Sequence, residues 1–496
     1  MSSKEISQVF SSYQKSRITF VQTVAELVKQ PRNIESMMQK ETGVMELLRP
    51  LLLDTEPSVQ QSAAMALGRL ANYSEQLAER VVTSEILPQL VYSLSNENKY
   101  YKRSAAYVIR SVAVHSPVLA QAVVDSGAVE ALVECLSQFD PGVKEAAAVE
   151  LAQAVVDQDP IPLLLLCAKE PELSLKRIAV QALAHICSHS QELAQAVVDA
   201  EGIPDIAPLI ENSKVKKQAC SCLSHIAKHS VELAELVVEG EIFPKIFALL
   251  KDTDDPLVRK NAATCIREIA KHTPTLSSLI VNAGGLPAIV DYVSEAEEDS
   301  KLPGIMTLGF VSAFTDTMAS SVIKAKAIPP LGLALSVAAS DHVKAASAWT
   351  LGQIGRHSSE HARAVAEGNI FPKLMEAYLS PKSSDDLKAK SKRSLKFIIQ
   401  KCVYLDALFP LLHEKAPQNI LKYVVKQYAK VLPNDIDAKR RFAESRGLAK
   451  LQLIKTDDDE LMETIKLINT CYPDEIVKYY SPGYDKELLS KIDEEN

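Results

Sequence analysis

His185 with His189, and His225 with His229, stand four residues apart. On a helix that spacing puts both rings on one face, where they could hold a metal ion. His115, His272 and His357 complete a recurring set, with Tyr73 and Phe314 in the same slot elsewhere. Tyrosine and phenylalanine cannot replace a metal ligand of this kind. The slot asks for a planar ring near a helix end, where an imidazolium also suits the dipole. No third ligand recurs and HExxH is absent, so no metal is expected.

A second series is cationic: Lys102, Lys144, Lys176, Lys216, Arg259, Lys301 and Lys344. One cation per repeat could form a positive row for an acidic partner such as a microtubule surface. The alternative is a solvated edge with acidic neighbours such as Asp140, Glu172 and Asp255. Cations near a helix start oppose the macrodipole, so their recurrence needs compensation. The eight cysteines form no CxxC pair, and Cys135 and Cys167 share one repeat position. They read as small core residues in a reducing compartment. There is no glycine-rich phosphate loop and no GxSxG. No catalytic residue and no cofactor are expected.

The elements that place these residues repeat. SPVLAQAVVDSGAV at 116–129 returns at 190–203, 230–243 and 273–286, and more weakly at 358–371. Anchors fall at Val82, Val124, Val156, Val198, Val238, Val281, Ile323 and Ala366, separated by 42, 32, 42, 40, 43, 42 and 43 residues. A period near 42 belongs to the armadillo and HEAT class. Six residues after seven of the anchors stands a proline, from Pro88 to Pro372, which favours the first turn of a helix. A short helix A therefore ends near the anchor, a tight corner follows, and helix B starts at the proline. Helix C follows, indexed from Gln60, Lys102, Lys176, Lys216, Arg259, Lys301 and Lys344. Its offsets 3, 7 and 10 are small, apolar and apolar, which makes one helical face. Offset 14 is always Ser or Thr, the N-cap of the next helix A.

The expected fold is all-α, an armadillo-repeat superhelical solenoid. About eight clear repeats of roughly 42 residues are flanked by degenerate ones. Residues 1–40 read as a helical extension broken at Pro31, 41–380 as the solenoid, and 381–496 as worn repeats and a cap. The unit near 142–157 is ten residues short, which predicts one fused helix and a local defect. The tail, with its clustered tyrosines, either caps the last apolar face or serves as a docking element.

Nearly half the residues are hydrophobic, only 5% are aromatic, and the net charge is −8. Such a chain has no global attraction to nucleic acid or anionic membrane. No apolar run nears the roughly 20 residues of a spanning helix. The polar start, MSSKEISQVF, lacks a signal-peptide core. A cytosolic or cytoskeletal place is expected.

LLRPLLLD (47–54), LPQLVYSL (87–94), DPGVKEAAA (140–148), EPELSLKRIA (170–179), FPKIFALLKD (243–252), IREIAKHTP (266–274) and CYPDEIVKYYSPGY (471–484) resemble the armadillo protein of the ciliary central pair, the sperm-associated antigen six family. That resemblance implies a non-enzymatic scaffold of the axonemal central apparatus in motile cilia and flagella. It implies as partners the central-pair microtubule, hence tubulin, and other central-apparatus proteins. Self-association of open solenoid ends is also expected, and neither nucleic acid nor membrane. The chain departs from the family pattern in its shortened unit.

The alternative is an armadillo adaptor. Importin-α-like adaptors resemble one another in a Trp-Asn ladder on helix C, and here the Trp slot holds Trp only at 349 and no Asn fills the other. A β-catenin-like scaffold is argued against by the resemblance of the tail.

Overall fold

The computed structural model describes residues 3–39, 43–96, 99–136 and 161–484. Every regular element among them is a helix. The fold is an all-α armadillo solenoid. Its contacts divide it into two compact units, Met1–Ile242 and Phe243–Asn496.

The third helix of each repeat carries the core. In the first unit these are α1 (Pro57–Tyr73), α2 (Lys99–Ala113), α3 (Leu173–His189) and α4 (Lys216–Ala227). In the second they are α5 (Pro256–Ala270), α6 (Leu302–Phe314), α7 (Asp341–Gly355), α8 (Asp385–Ile399) and α9 (Gln418–Val431). In the first unit α1 packs against α2 and α3 against α4; in the second, α5 to α9 each pack against the next. The small residues at offset 3 make this approach close: Ala63, Ala105, Ala179, Ala219 and Ala262 are wholly buried, as is Ser347. The apolar residues at offsets 7 and 10, such as Leu67 with Leu70 and Leu351 with Ile354, fill the interior behind them.

The expected caps form in all seven places. Ser74, Ser116, Ser190, Ser230, Thr273, Thr315 and Ser358 each accept from the backbone N–H three residues on, at 3.2–3.4 Å. The corner between helices A and B has one left-handed residue, three after the anchor. It is Gly127 and Gly284 in two repeats. Elsewhere it is Glu85, Glu201, Glu241, Lys326 or Asn369, with φ between 52° and 63°. A left-handed non-glycine residue costs about 1 kcal/mol. The chain accepts that cost at these five corners because the corner lets helix B turn back onto helix C.

The N-terminal helices, Ser3–Leu27 and Pro31–Gln39, break at Pro31 as expected. The worn C-terminal repeats keep the helix-C register. Ser391, Leu395 and Ile398 lie at offsets 3, 7 and 10 from Lys388, and all are buried. Leu421, Val425 and Tyr428 do the same from Gln418. Arg446, with φ of 60°, forms the last corner. In the tail the Tyr472 hydroxyl donates to the Lys439 carbonyl at 3.0 Å, while Tyr479 stays exposed. The fused helix expected over 142–157 lies outside the described residues.

All eight cysteines are free thiols, and seven are buried. Burial pushes Cys220 up to about 12 and Cys135 and Cys402 up to about 11. Such thiols stay protonated and unreactive at neutral pH.

Candidate functional site

The ring slot and the described cations of the series lie on or next to the third helices. Three of the ring-slot histidines reach back to the preceding repeat, whereas His185 and His189 are exposed. The Nε2 of His115 lies 2.7 Å from the Ala71 carbonyl, that of His229 2.7 Å from Cys187, and that of His357 2.6 Å from Ser312. A carbonyl only accepts, so each Nε2 carries the proton. Each acceptor belongs to the last turn of the preceding third helix, where carbonyls have no intrahelical partner. The ring therefore ties one repeat to the one before it. Arg69 does the same for the first helix, donating to the Ala25 carbonyl at 2.7 Å. The sequence located this slot as an aromatic position at a helix end. It could not show that the ring nitrogen reaches back one whole repeat. Among the described residues no cluster of three metal-ligating side chains occurs.

This tie titrates. Burial holds His357 below its ordinary value of 6.5. Burial does the same to His225, whose Nδ1 lies 2.8 Å from the Ala184 carbonyl; the bond to that carbonyl opposes the shift in part. A depressed histidine pKa means that the unfolded chain binds the proton more tightly. Stability is thus fully present above about pH 6.5 and is lost as pH falls below it. We expect thermal melting midpoints to fall between about pH 7 and about pH 5. The double variant His225→Phe/His357→Phe should show a flatter pH dependence over the same range. At neutral pH, His357→Phe should cost about 1 kcal/mol in urea denaturation, the worth of one hydrogen bond. An unchanged pH slope in the double variant would remove these two rings as its cause.

The cationic series sits lower in the fold than a solvated row would. Lys102 is buried, and Lys176, Lys216, Arg259, Lys301 and Lys344 are half-buried. Lys144 lies outside the described residues. Arg259 donates to Glu295 at 2.6 Å and stands over the Tyr292 ring at 5.5 Å. Lys301 donates to the Val293 carbonyl at 3.1 Å. Glu295 and Val293 lie in the last turn of the helix Gly285–Glu295. The cation thus faces the negative end of a neighbouring helix, which offsets its cost at the start of its own.

In the second unit the outer edge of the same face is aromatic and basic. Phe310 and Trp349 meet edge to face, 5.3 Å between centroids. At the equivalent positions of α8 and α9 stand Arg393, Phe397 and Tyr423. Arg393 lies over Phe397 at 5.2 Å, and Lys396 and Lys422 each lie 5.5 Å from the Tyr423 ring. The sequence reading singled out Trp349 but not Arg393, Phe397 or Tyr423, because the repeat signature fades after Ser380. Offsets 5 and 9 counted from Lys388 and Gln418 would have found them.

Residues 116–149 match the armadillo/β-catenin-like repeat and residues 242–273 the HEAT repeat. An engineered protein of known crystal structure superposes with a TM-score of 0.66 at 22% identity, over 86% of this chain and 98% of that one. A designed armadillo repeat protein matches with a TM-score of 0.46 at 21% identity, over 48% of this chain and 99% of its own. The class is an armadillo-repeat scaffold. Sperm-associated antigen 6 of Mus musculus is 56% identical over 99% of both chains, and that of Homo sapiens 55% identical over the same shares. The chain belongs to the sperm-associated antigen 6 family.

Proposed function

We propose that this chain is a non-enzymatic structural scaffold of the central apparatus in the axoneme of motile cilia and flagella. It docks on the central-pair microtubule and on neighbouring proteins of that apparatus, and it supports beating. The observation that carries this reading is the end-to-end match at 56% identity to a protein named as sperm-associated. The fold supports it, because stacked repeats offer a long face to several partners at once. No single helix among the described residues is long and apolar enough to cross a membrane. Within this reading, the cations that could face a partner are Lys176 and Lys344. Lys102, Arg259 and Lys301 are taken up by the fold.

The test is extraction. The protein is tagged in a ciliated cell, the membrane is stripped, and axonemes are washed with rising salt. Retention along the central pair to high salt is the expected result. The extraction point then measures how electrostatic the docking is. A soluble or nuclear protein would sink this reading and leave the adaptor alternative, importin-α-like or β-catenin-like, in its place.

A further inference from the structure

The helices α7, α8 and α9 together carry nine cations and three carboxylates, in a chain whose net charge is −8. The three carboxylates are Asp341, Asp385 and Asp386, all in first turns, where they suit the helix dipole. Asp386 also pairs with Lys390 at 2.9 Å. Beyond those first turns no acidic residue occurs on any of the three helices. The positive charge is therefore uncompensated on its own helices. Lys426 is the exception, paired with Glu460 of Asp459–Asn469.

The cations are also organised. Arg393 and Lys396 are exposed and Lys422 is half-exposed, and each stands over an aromatic ring. Cation–π contact of this kind is worth about 0.5–1 kcal/mol at exposed sites and holds a long side chain in one place. It leaves the remaining N–H donors turned to solvent. Tyr423 has a lysine within 5.5 Å from each of two helices, so it marks a fixed basic notch between α8 and α9. Trp349, half-buried on α7, supplies an apolar wall at the equivalent register.

We propose that this strip, centred on Tyr423 and formed by Trp349, Arg393, Lys396, Phe397 and Lys422, is a docking site for an extended, glutamate- or aspartate-rich protein segment. Carboxylates meet the guanidinium and the two ammonium groups, with Arg393 able to take one in a bidentate pair. The peptide stem lies on the rings. The inference rests on the scaffold reading only in taking the partner to be a protein. It gives that partner a chemistry and a place.

The experiment uses the purified full-length chain and a fluorescein-labelled oligoglutamate peptide, followed by fluorescence anisotropy. Binding that weakens with salt is expected. The triple reversal Arg393→Glu/Lys396→Glu/Lys422→Glu should weaken it by roughly tenfold or more. A control triple, Lys15→Glu/Lys324→Glu/Lys382→Glu, changes net charge equally at exposed positions off the strip. It should stay within about twofold of the parent. Tyr423→Ala should weaken binding while Tyr423→Phe keeps it, since the ring face and not the hydroxyl holds the lysines. Circular dichroism establishes that each variant is folded. Equal losses in both triples, or no binding by the parent, would overturn the proposal. So would tighter binding of a single-stranded oligonucleotide or of phosphatidylserine vesicles that the strip reversal abolishes. The axonemal extraction is read separately, so a failed peptide assay leaves the scaffold reading standing.

Discussion

Gly352→Val is expected to destabilise the second unit by about 3 kcal/mol or more. A valine at a helix interior would ordinarily help, because glycine costs about 1 kcal/mol there. Here sterics reverse the sign. Gly352 faces α8 so closely that an added Cβ would lie 2.8 Å from the Ser394 Cβ and 3.1 Å from its Cα. Backbone cannot swing aside. The Ser394 hydroxyl is also committed, donating to the Ala348 carbonyl at 2.7 Å in a buried position. Separation of α7 from α8 is the only relief. Urea denaturation followed by far-ultraviolet circular dichroism would read the loss. Hydrogen exchange would localise it, with amides of α7 and α8 losing protection while α1 and α2 keep theirs. Parent-like stability in Gly352→Val would mean that the two helices do not approach this closely. Gly309 makes the same test possible one helix earlier, where a Cβ would run into Trp349.

In the first unit the largest loss is expected at Tyr101. Its ring is wholly buried, and its hydroxyl donates to the Leu52 carbonyl at 2.9 Å. Leu52 lies in the 3-10 helix Arg49–Leu53, so the bond ties α2 to the preceding repeat. Tyr101→Phe removes the hydrogen bond alone and should cost about 1 kcal/mol. Tyr101→Ala also opens a cavity the size of the ring and should cost about 4 kcal/mol. In a repeat array each unit depends on its neighbours, so a break at one tie is felt first by the two repeats it joins. The measurement is again urea denaturation, with the two variants compared. Equal effects of phenylalanine and alanine would show that packing of the ring contributes little.

The architecture was legible because it is local and recurs. A proline six residues past the anchor, a small residue at offset 3 and a hydroxyl at offset 14 each have one physical purpose. Those purposes are a helix start, a close approach and an N-cap, and all three appear where the spacing put them. Repetition multiplies a weak signal: one serine at a helix boundary says little, but seven in register decide the frame. The worn end was harder to read. Ser391 keeps the small-residue position, yet Leu421 replaces it in α9, so the pattern fades while the packing continues.

The residues themselves determined an all-helical repeat protein with free cysteines, seven of them buried. They also located the aromatic slot and the cationic series. What they could not determine is where each long side chain ends. His229 and Cys187 are 42 residues apart, and nothing in the local pattern says that a ring nitrogen meets that carbonyl. Lys301 could equally have faced water; only the packed end of Gly285–Glu295 shows that it caps a helix instead. Arg393, Lys396 and Lys422 look like ordinary surface cations in one dimension. They become a strip because α8 and α9 pack side by side and bring two lysines to one tyrosine ring. Local spacing fixes helices and caps, since those depend on neighbours a few residues away. Contacts a whole repeat apart depend on how repeats stack, and only the tertiary structure supplies that.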